Sequence, residues 1–392
     1  MTTSDPALER IATWQRWSLL AGAIGTMGVA VAFVTSLDQL LRSYLFAYLF
    51  WTGMSIGCLG ILLLHHTVGG KWGMVIRRFC EAGARTIPLM GMLLIPILIG
   101  IATLYLWATP EAAHDENIQK KTAYLNIPFF IGRSIVYFSV WTLYAMLLSH
   151  WSAEQDRTGD EKFIGKMRAA SAPGLLVFVV TATFAFFDWI MSLEPHWFST
   201  IYGAMFLVGQ VLQAFALTIA LLIVLERFEP IRNYVTPQHL HDLGNLLFAF
   251  TVLWAYLSFS QFLIIWAGNL PEEIPWYQRR LEKGWNAIAV FLILFHFCLP
   301  FLLLLQRGAK RRSKFLLTIC LFMLAVRMVD VFWIVEPGVY HQQLMIHWTD
   351  FVTPLAIGGL WLAALFWQLS TRPLLPLNDP RLKGAPRETV AF

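Results

Sequence analysis

Residues 200–226 read TIYGAMFLVGQVLQAFALTIALLIVLE, with no charged side chain before the last position. Backbone N–H and C=O groups cannot be left unpaired in hydrocarbon, so an apolar run of about 20 residues is read as a membrane-spanning α-helix. Nine other runs meet the same criterion: 18–36, 44–64, 87–107, 128–149, 173–192, 244–266, 285–306, 315–335 and 350–371. Their apolar residues run all round the helix, as in helices that are buried or face lipid. The expected fold class is an all-α polytopic membrane protein with ten transmembrane helices, 1–392 forming a single integral membrane domain.

Composition points the same way. Of 392 residues, 57% are apolar and 14% charged, against about 25% charged in an average soluble domain. That excludes an ordinary soluble enzyme, a disordered chain and a collagen-like chain. The net charge of +5 is mild and dispersed. No basic run is interleaved with aromatics, so no nucleic acid is expected as a partner. Cys58, Cys80, Cys298 and Cys320 are mutually remote and form no Cys-x-x-Cys. They read as buried thiols rather than as iron–sulfur, zinc or c-haem ligands. Residues 1–17 are polar and no small-residue cleavage site follows, so no cleavable signal is expected.

The connections carry 21 Lys and Arg on the side of the N-terminus and 6 on the other. The positive-inside rule then places both termini, including the tail 372–392, in the cytoplasm. The acid- and Trp-rich connections face the outer compartment.

The chain also repeats itself. Asp188-Trp-Ile-Met-Ser-Leu-Glu194-Pro195 matches Asp330-Val-Phe-Trp-Ile-Val-Glu336-Pro337, both Asp-x5-Glu-Pro at the outer end of a span. Trp107-Ala-Thr-Pro110-Glu111 is echoed by Trp266-Ala-Gly-Asn-Leu-Pro271-Glu272, and Asn126 and Asn286 open the spans that follow. Same order and same orientation imply a parallel duplication. Spans 2–5 (44–192) form one four-helix bundle and spans 6–9 (200–335) another, with spans 1 and 10 flanking. Gly53-x-x-x-Gly57, the glycines 22, 25 and 28, and Gly358-Gly359 offer smooth faces for packing within the subunit. Pro96 and Pro300 are expected to kink their spans.

Ionisable groups inside a span cost roughly 2.5–3.5 kcal/mol each at its centre on an insertion scale, so each needs a partner or a task. They are Arg133, Asp188, His296, Arg327 and Asp330. Arg133 could reach Asp188 on the adjacent span, and Arg327 and Asp330 stand three apart on one face. Two readings fit: buried ion pairs that pin helices, or a polar chamber for protons or a quinone headgroup. Tyr137 and Tyr144 share the face of Arg133, and Thr181 and Ser192 that of Asp188. A lone mid-span His296 reads first as a hydrogen-bonded core residue, and no second axial ligand at its depth supports a b-type haem. The outer connections hold Glu194, His196, Glu336, His341, His347 and Asp350. These could pass protons to water, cap helices or dock a partner. Trp197, Trp276 and Trp348 read as interface-belt or docking residues. On the inner side His65-His66, Glu226 and His241-Asp242 could form a proton inlet, or simply a solvated face.

Two stretches resemble a known family: Tyr124-Leu-Asn-Ile-Pro-Phe-Phe-Ile-Gly-Arg133 with Tyr137-Phe-Ser-Val-Trp141, and Phe187-Asp188-Trp-Ile-Met-Ser-Leu-Glu194-Pro-His196-Trp-Phe-Ser-Thr-Ile-Tyr202-Gly. They look like the second large membrane subunit of alternative complex III, in the polysulfide-reductase (NrfD-like) membrane-anchor superfamily. The ten-span layout extends the likeness over most of the chain. The resemblance implies a respiratory quinol:cytochrome c oxidoreductase in a bacterial inner (plasma) membrane. Its partners would be multihaem cytochrome c subunits, an iron–sulfur subunit, a sister ten-helix membrane subunit and lipid. It implies a subunit with no redox centre of its own, with quinone or quinol as the only cofactor to consider. Arg133, Asp188, Glu194 and His196 carry over as polar-chamber residues. Tyr137, His296, Arg327, Asp330 and Glu336 join them, from position alone, as candidates for a proton path or quinone chamber. No catalytic residue and no metal ligand is assigned. A stand-alone secondary transporter built on the parallel repeat, and a purely structural scaffold subunit, are the alternatives. Pro96 and Pro300 are not repeat-equivalent, which counts against a transporter.

Overall fold

A computed structural model describes residues 5–339, 343–376, 378–379 and 382. Ten helices are long and apolar enough to cross a membrane: α1 (Pro6–Thr35), α2 (Leu37–Val68), α3 (Arg77–Ile99), α4 (Ile127–Thr158), α5 (Lys162–Leu193), α6 (Tyr202–Leu225), α7 (Pro237–Gly268), α8 (Trp285–Leu305), α9 (Ser313–Val339) and α10 (Thr349–Ser370). No strand occurs among the described residues. The chain is thus an all-helical protein suited to crossing a membrane many times. We call the face at the start of α1 the basic face and the other the opposite face.

Helices α2, α3, α4 and α5 touch in a ring, and so do α6, α7, α8 and α9. These are the two expected four-helix bundles. The rings join along α2 and α6, with α5 also against α6 and α9 against α2. Within their most apolar stretches α2 and α6 are 89% buried, whereas α1, α7 and α8 are 22% buried. The seam is therefore the core and the last three face outward. Glycine makes the seam possible. A Cβ on Gly57 would lie 2.3 Å from the Gln210 carbonyl oxygen, so α2 and α6 approach backbone to backbone. The flanking pair packs the same way, since a Cβ on Gly25 of α1 would lie 2.4 Å from the Ala356 nitrogen of α10.

Two helices are irregular where proline dictates it. Beyond Arg77–Ala84, α3 continues as Ile87–Leu93 and Ile95–Ile99 and is followed by a short helix Ile101–Leu104, with Pro88 and Pro96 in the first turns of the two α3 pieces. Proline tolerates a first turn because its missing N–H would be unpaired there anyway. In α8 a π-helical turn, Ile293–Cys298, stands just before Pro300. Pro300 has no N–H for the His296 carbonyl, and the wider turn accommodates its ring.

Two expectations need correction. Helix α3 begins at Arg77, not near 87, because Arg77, Arg78 and Glu81 are buried by ion pairing rather than left in a loop. Trp197 and Trp276 are not belt residues. They are 4% and 2% exposed and stack on each other, with ring centroids 5.2 Å apart. Part of the tail packs on the body, where Leu374, Leu375, Asp379 and Leu382 are buried.

Candidate functional site

The first cluster sits between α4 and α5. Asn126 caps α4 by accepting from the Phe129 nitrogen (3.0 Å), which sets the helix start two turns before Arg133. The Arg133 guanidinium grips Asp188 as a fork, Nε to Oδ2 and Nη2 to Oδ1, both at 2.8 Å. Its Nη1 donates to the Tyr124 carbonyl at 2.9 Å. The Tyr137 hydroxyl donates to Asp188 Oδ2 at 2.8 Å. The rings of Tyr124 and Phe129 lie 3.8 Å and 4.2 Å from the guanidinium carbon, adding cation–π attraction. Asp188 is fully buried. Both its oxygens are engaged, the condition under which a buried ion pair is tolerated. Its backbone carbonyl takes the Ser192 hydroxyl. Thr181 accepts the Trp141 indole N–H at 2.9 Å, while Tyr144 packs on Gly174, so neither of those two joins the pair.

The second cluster, on α8 and α9, has different chemistry. Arg327 and Asp330 form an ion pair one turn apart. His296 Nδ1 lies 3.8 Å from Asp330 Oδ2, and the imidazole packs on Trp254 with centroids 4.0 Å apart. The π-helical turn carries this histidine. Arg327 Nε and Nη2, and both His296 nitrogens, make no hydrogen bond to a described residue. Matching the two Asp-x5-Glu-Pro motifs puts Ala185 at the place of Arg327. Matching Asn126 with Asn286 puts Ile293 at the place of Arg133. The repeat keeps the aspartate and moves the arginine from the neighbouring helix to the same one. The Arg133–Asp188 pair is therefore satisfied, with the buried Tyr124 hydroxyl left over beside it, while the second cluster keeps several unused donors and acceptors on Arg327 and His296 in the interior.

Phe186 of α5 meets Phe206 of α6 (centroids 4.6 Å), and the Arg327 guanidinium lies 5.2 Å from the Phe206 ring. A Cβ on Gly209 would fall 2.4 Å from the Arg327 guanidinium carbon, so α6 makes room for the cation with a glycine.

The remaining candidates separate. Glu194 is 5% exposed and ion-paired to Arg279 and to Arg280, whose Nη1 lies 2.8 Å from Oε1. Arg280 also donates to the Ile334 carbonyl at 2.6 Å and covers the Trp276 ring at 3.7 Å. Glu194 is thus a docking residue between the bundles rather than a free outlet for protons. His196 is exposed and pairs with Asp115, Nε2 to Oδ2 at 2.6 Å. Glu336 is 5% exposed, and its Oε1 makes no hydrogen bond to a described residue. Asp350 accepts from Ser43 (2.5 Å) and from the His347 nitrogen (2.8 Å). His341 lies outside the described residues.

One network leaves almost no trace in the sequence. At the basic face Arg77 pairs with Glu81 (2.9 Å) and with Asp379 (3.2 Å). Arg78 pairs with Glu81 (2.5 Å) and with Asp156. Ser152 donates to Glu81 (2.5 Å) and accepts from Arg77 (2.8 Å). Its partners come from α3, α4 and the tail, up to 302 residues apart. Only the Arg77–Glu81 pair, four residues apart, is local. His65 and His66 are buried at 1% and 5%, so they do not form a solvated face.

A cavity of ≈ 480 Å³ lies at α1 and α10, and none of the candidate residues lines it. The chain matches no protein-family model and no curated protein sequence.

Proposed function

We propose that the chain is an integral membrane subunit of a respiratory quinol:cytochrome c oxidoreductase of the alternative complex III type. In that assembly it anchors the multihaem and iron–sulfur subunits beside a sister ten-helix subunit. Its opposite-face polar groups handle the protons that quinol oxidation releases. One observation carries this reading. The two stretches that resemble the family, 124–141 and 187–203, meet at the Arg133–Asp188 fork with Tyr137. The resemblance thus falls on one three-dimensional place.

A purely structural role is favoured by a different observation: Arg133, Asp188 and Glu194 are each saturated by partners. The transporter reading lacks comparable support. The breaks in α3 and the π-turn in α8 fall in helices that are not counterparts in the repeat.

The test is to purify the protein from its native membrane, with and without Asp188→Asn. Co-purification with c-type haem and quinol:cytochrome c activity is expected, and a haem-free lone protein would sink the reading. If Asp188 serves protons, the variant still co-purifies with c-type haem and loses activity by about tenfold or more. Unchanged turnover and proton release would leave the scaffold role.

A further inference from the structure

We propose that the groove between α1, α10 and the central seam binds an anionic phospholipid of the basic-face leaflet. Its ≈ 480 Å³ lies within the roughly 300–1,000 Å³ of sites that hold small molecules. Trp14 and Ala21 of α1, Trp51 of α2, Leu221 of α6, Leu321 of α9 and Leu362 of α10 wall it. The Trp51 indole N–H is already taken by the Pro354 carbonyl at 3.0 Å. The groove therefore offers hydrocarbon contact to an acyl chain.

The charge of the occupant follows from the rim. Arg10 stands one turn toward the basic face from Trp14, its guanidinium 5.6 Å from that ring. Lys314 stands two turns before Leu321 on the same face of α9, and Arg227 three residues beyond Val224, which also lines the groove. All three cations are exposed. The segment 307–314 supplies five Lys and Arg with no acid. Of these, Lys310 and Arg311 bond Asn245 and Gln238. Glu9 and Glu226 stand on the same rim, and Glu226 accepts from Ser313 at 3.0 Å. Basic side chains at the end of an apolar membrane groove place their charge at headgroup depth, where each favours an anionic lipid. A neutral occupant such as a quinone would use the groove but not the cations. The site stands whether or not the chain belongs to a quinol-oxidising assembly.

Three groove residues are tryptophans, so a lipid with brominated acyl chains is a direct probe. The full chain in detergent is titrated with brominated phosphatidylglycerol or brominated phosphatidylcholine, and a Trp14→Phe/Trp17→Phe protein subtracts the remaining tryptophans. Groove quenching is expected to saturate at lower phosphatidylglycerol than phosphatidylcholine. Arg10→Gln/Lys314→Gln should weaken the phosphatidylglycerol response by about fivefold per cation removed and leave phosphatidylcholine unchanged. Ala21→Phe, which fills the groove, should remove saturable quenching by both. Equal response to the two lipids in the parent, a preference that survives the charge variant, or saturation that survives Ala21→Phe overturns the proposal.

Discussion

Arg280 holds Glu194 at 2.8 Å and, through its other terminal nitrogen, the Ile334 carbonyl at 2.6 Å. One guanidinium thereby stitches the end of α5 to α9, joining the two Asp-x5-Glu-Pro segments. A Cβ on Gly338, just past the second Glu-Pro, would lie 3.2 Å from Glu194 Oε1. The arrangement predicts unequal roles for adjacent arginines. Arg280 is 1% exposed, whereas the Arg279 side chain is 35% exposed. Arg280→Met should cost about 3 kcal/mol, the low end for a broken buried pair because Arg279 still covers the carboxylate. Arg279→Gln should cost at most about 1 kcal/mol. Thermal unfolding in detergent measures both, and equal losses would mean that Arg280 does not bridge the bundles.

The Arg133–Asp188 fork predicts a non-additive cycle. Arg133→Met leaves a buried carboxylate held only by Tyr137, and should cost about 3–5 kcal/mol. Asp188→Leu leaves an uncompensated cation and should cost a similar amount. The double variant removes both charges and should be more stable than either single one. If its losses simply add, the two side chains do not act as a pair. If it folds and assembles but loses proton release, the pair has a task beyond holding helices.

What the sequence made legible depended on whether the partner was near. Hydropathy is a local sum, so the number and order of helices were readable, as was an Arg–Asp pair on adjacent spans. The start of α3 was not, because hydropathy scores Arg77, Arg78 and Glu81 as solvent residues, and only the fold reveals Asp379 and Ser152 beside them. The partner of Glu194 is hidden for the same reason, since Arg280 is 86 residues away. Proline foretold distortion at Pro300, but whether the helix bends or widens depends on its neighbours. The π-turn under His296 was therefore illegible.

Close helix contact makes opposite predictions for two glycines. A Cβ on Gly25 would lie 2.4 Å from the Ala356 nitrogen and 2.6 Å from its Cα. Backbone cannot turn aside as a side chain can, so Gly25→Ala should push α1 off α10 at a cost of about 1–3 kcal/mol. Gly132, inside α4, has no atom within 4 Å of a Cβ. Gly132→Ala should be neutral or stabilise by up to about 1 kcal/mol through helix propensity alone. Melting of the two variants side by side checks this, and a stable Gly25→Ala would show that α1 does not pack as described.

The opposite-face connection 105–126 is tied down by Asp115, which lies 2.6 Å from His196 and caps the amides of Asn117 (2.9 Å) and Ile118 (3.2 Å). The hydrogen bond with His196, ahead of the backbone bonds, holds the Asp115 carboxyl below its usual range. A carboxylate with a depressed folded value stabilises above the unfolded value, about 3.9, and loses that contribution as pH falls through the folded one. After correction for intrinsic exchange, amide protection at 117–118 should stay flat from about pH 8 to pH 5 and drop only below about pH 4. In Asp115→Ala it should be low throughout. Protection that survives in Asp115→Ala would show that the carboxylate does not hold the segment.

The distribution of Lys and Arg predicts which face meets the cytoplasm, and two exposed positions can report it. Lys120 lies on the connection between α3 and α4, and Arg157, with a side chain 71% exposed, lies at the far end of α4. Three native cysteines are buried and the fourth, Cys298, is half-buried in α8, so background labelling should be low. In intact cells a membrane-impermeant maleimide should modify Lys120→Cys and spare Arg157→Cys until the membrane is opened. The reverse pattern would invert the orientation. It would then place the 307–314 cations in the outer leaflet and the Arg133–Asp188 fork nearer the cytoplasm, removing the reason to link that fork with proton release to the outside.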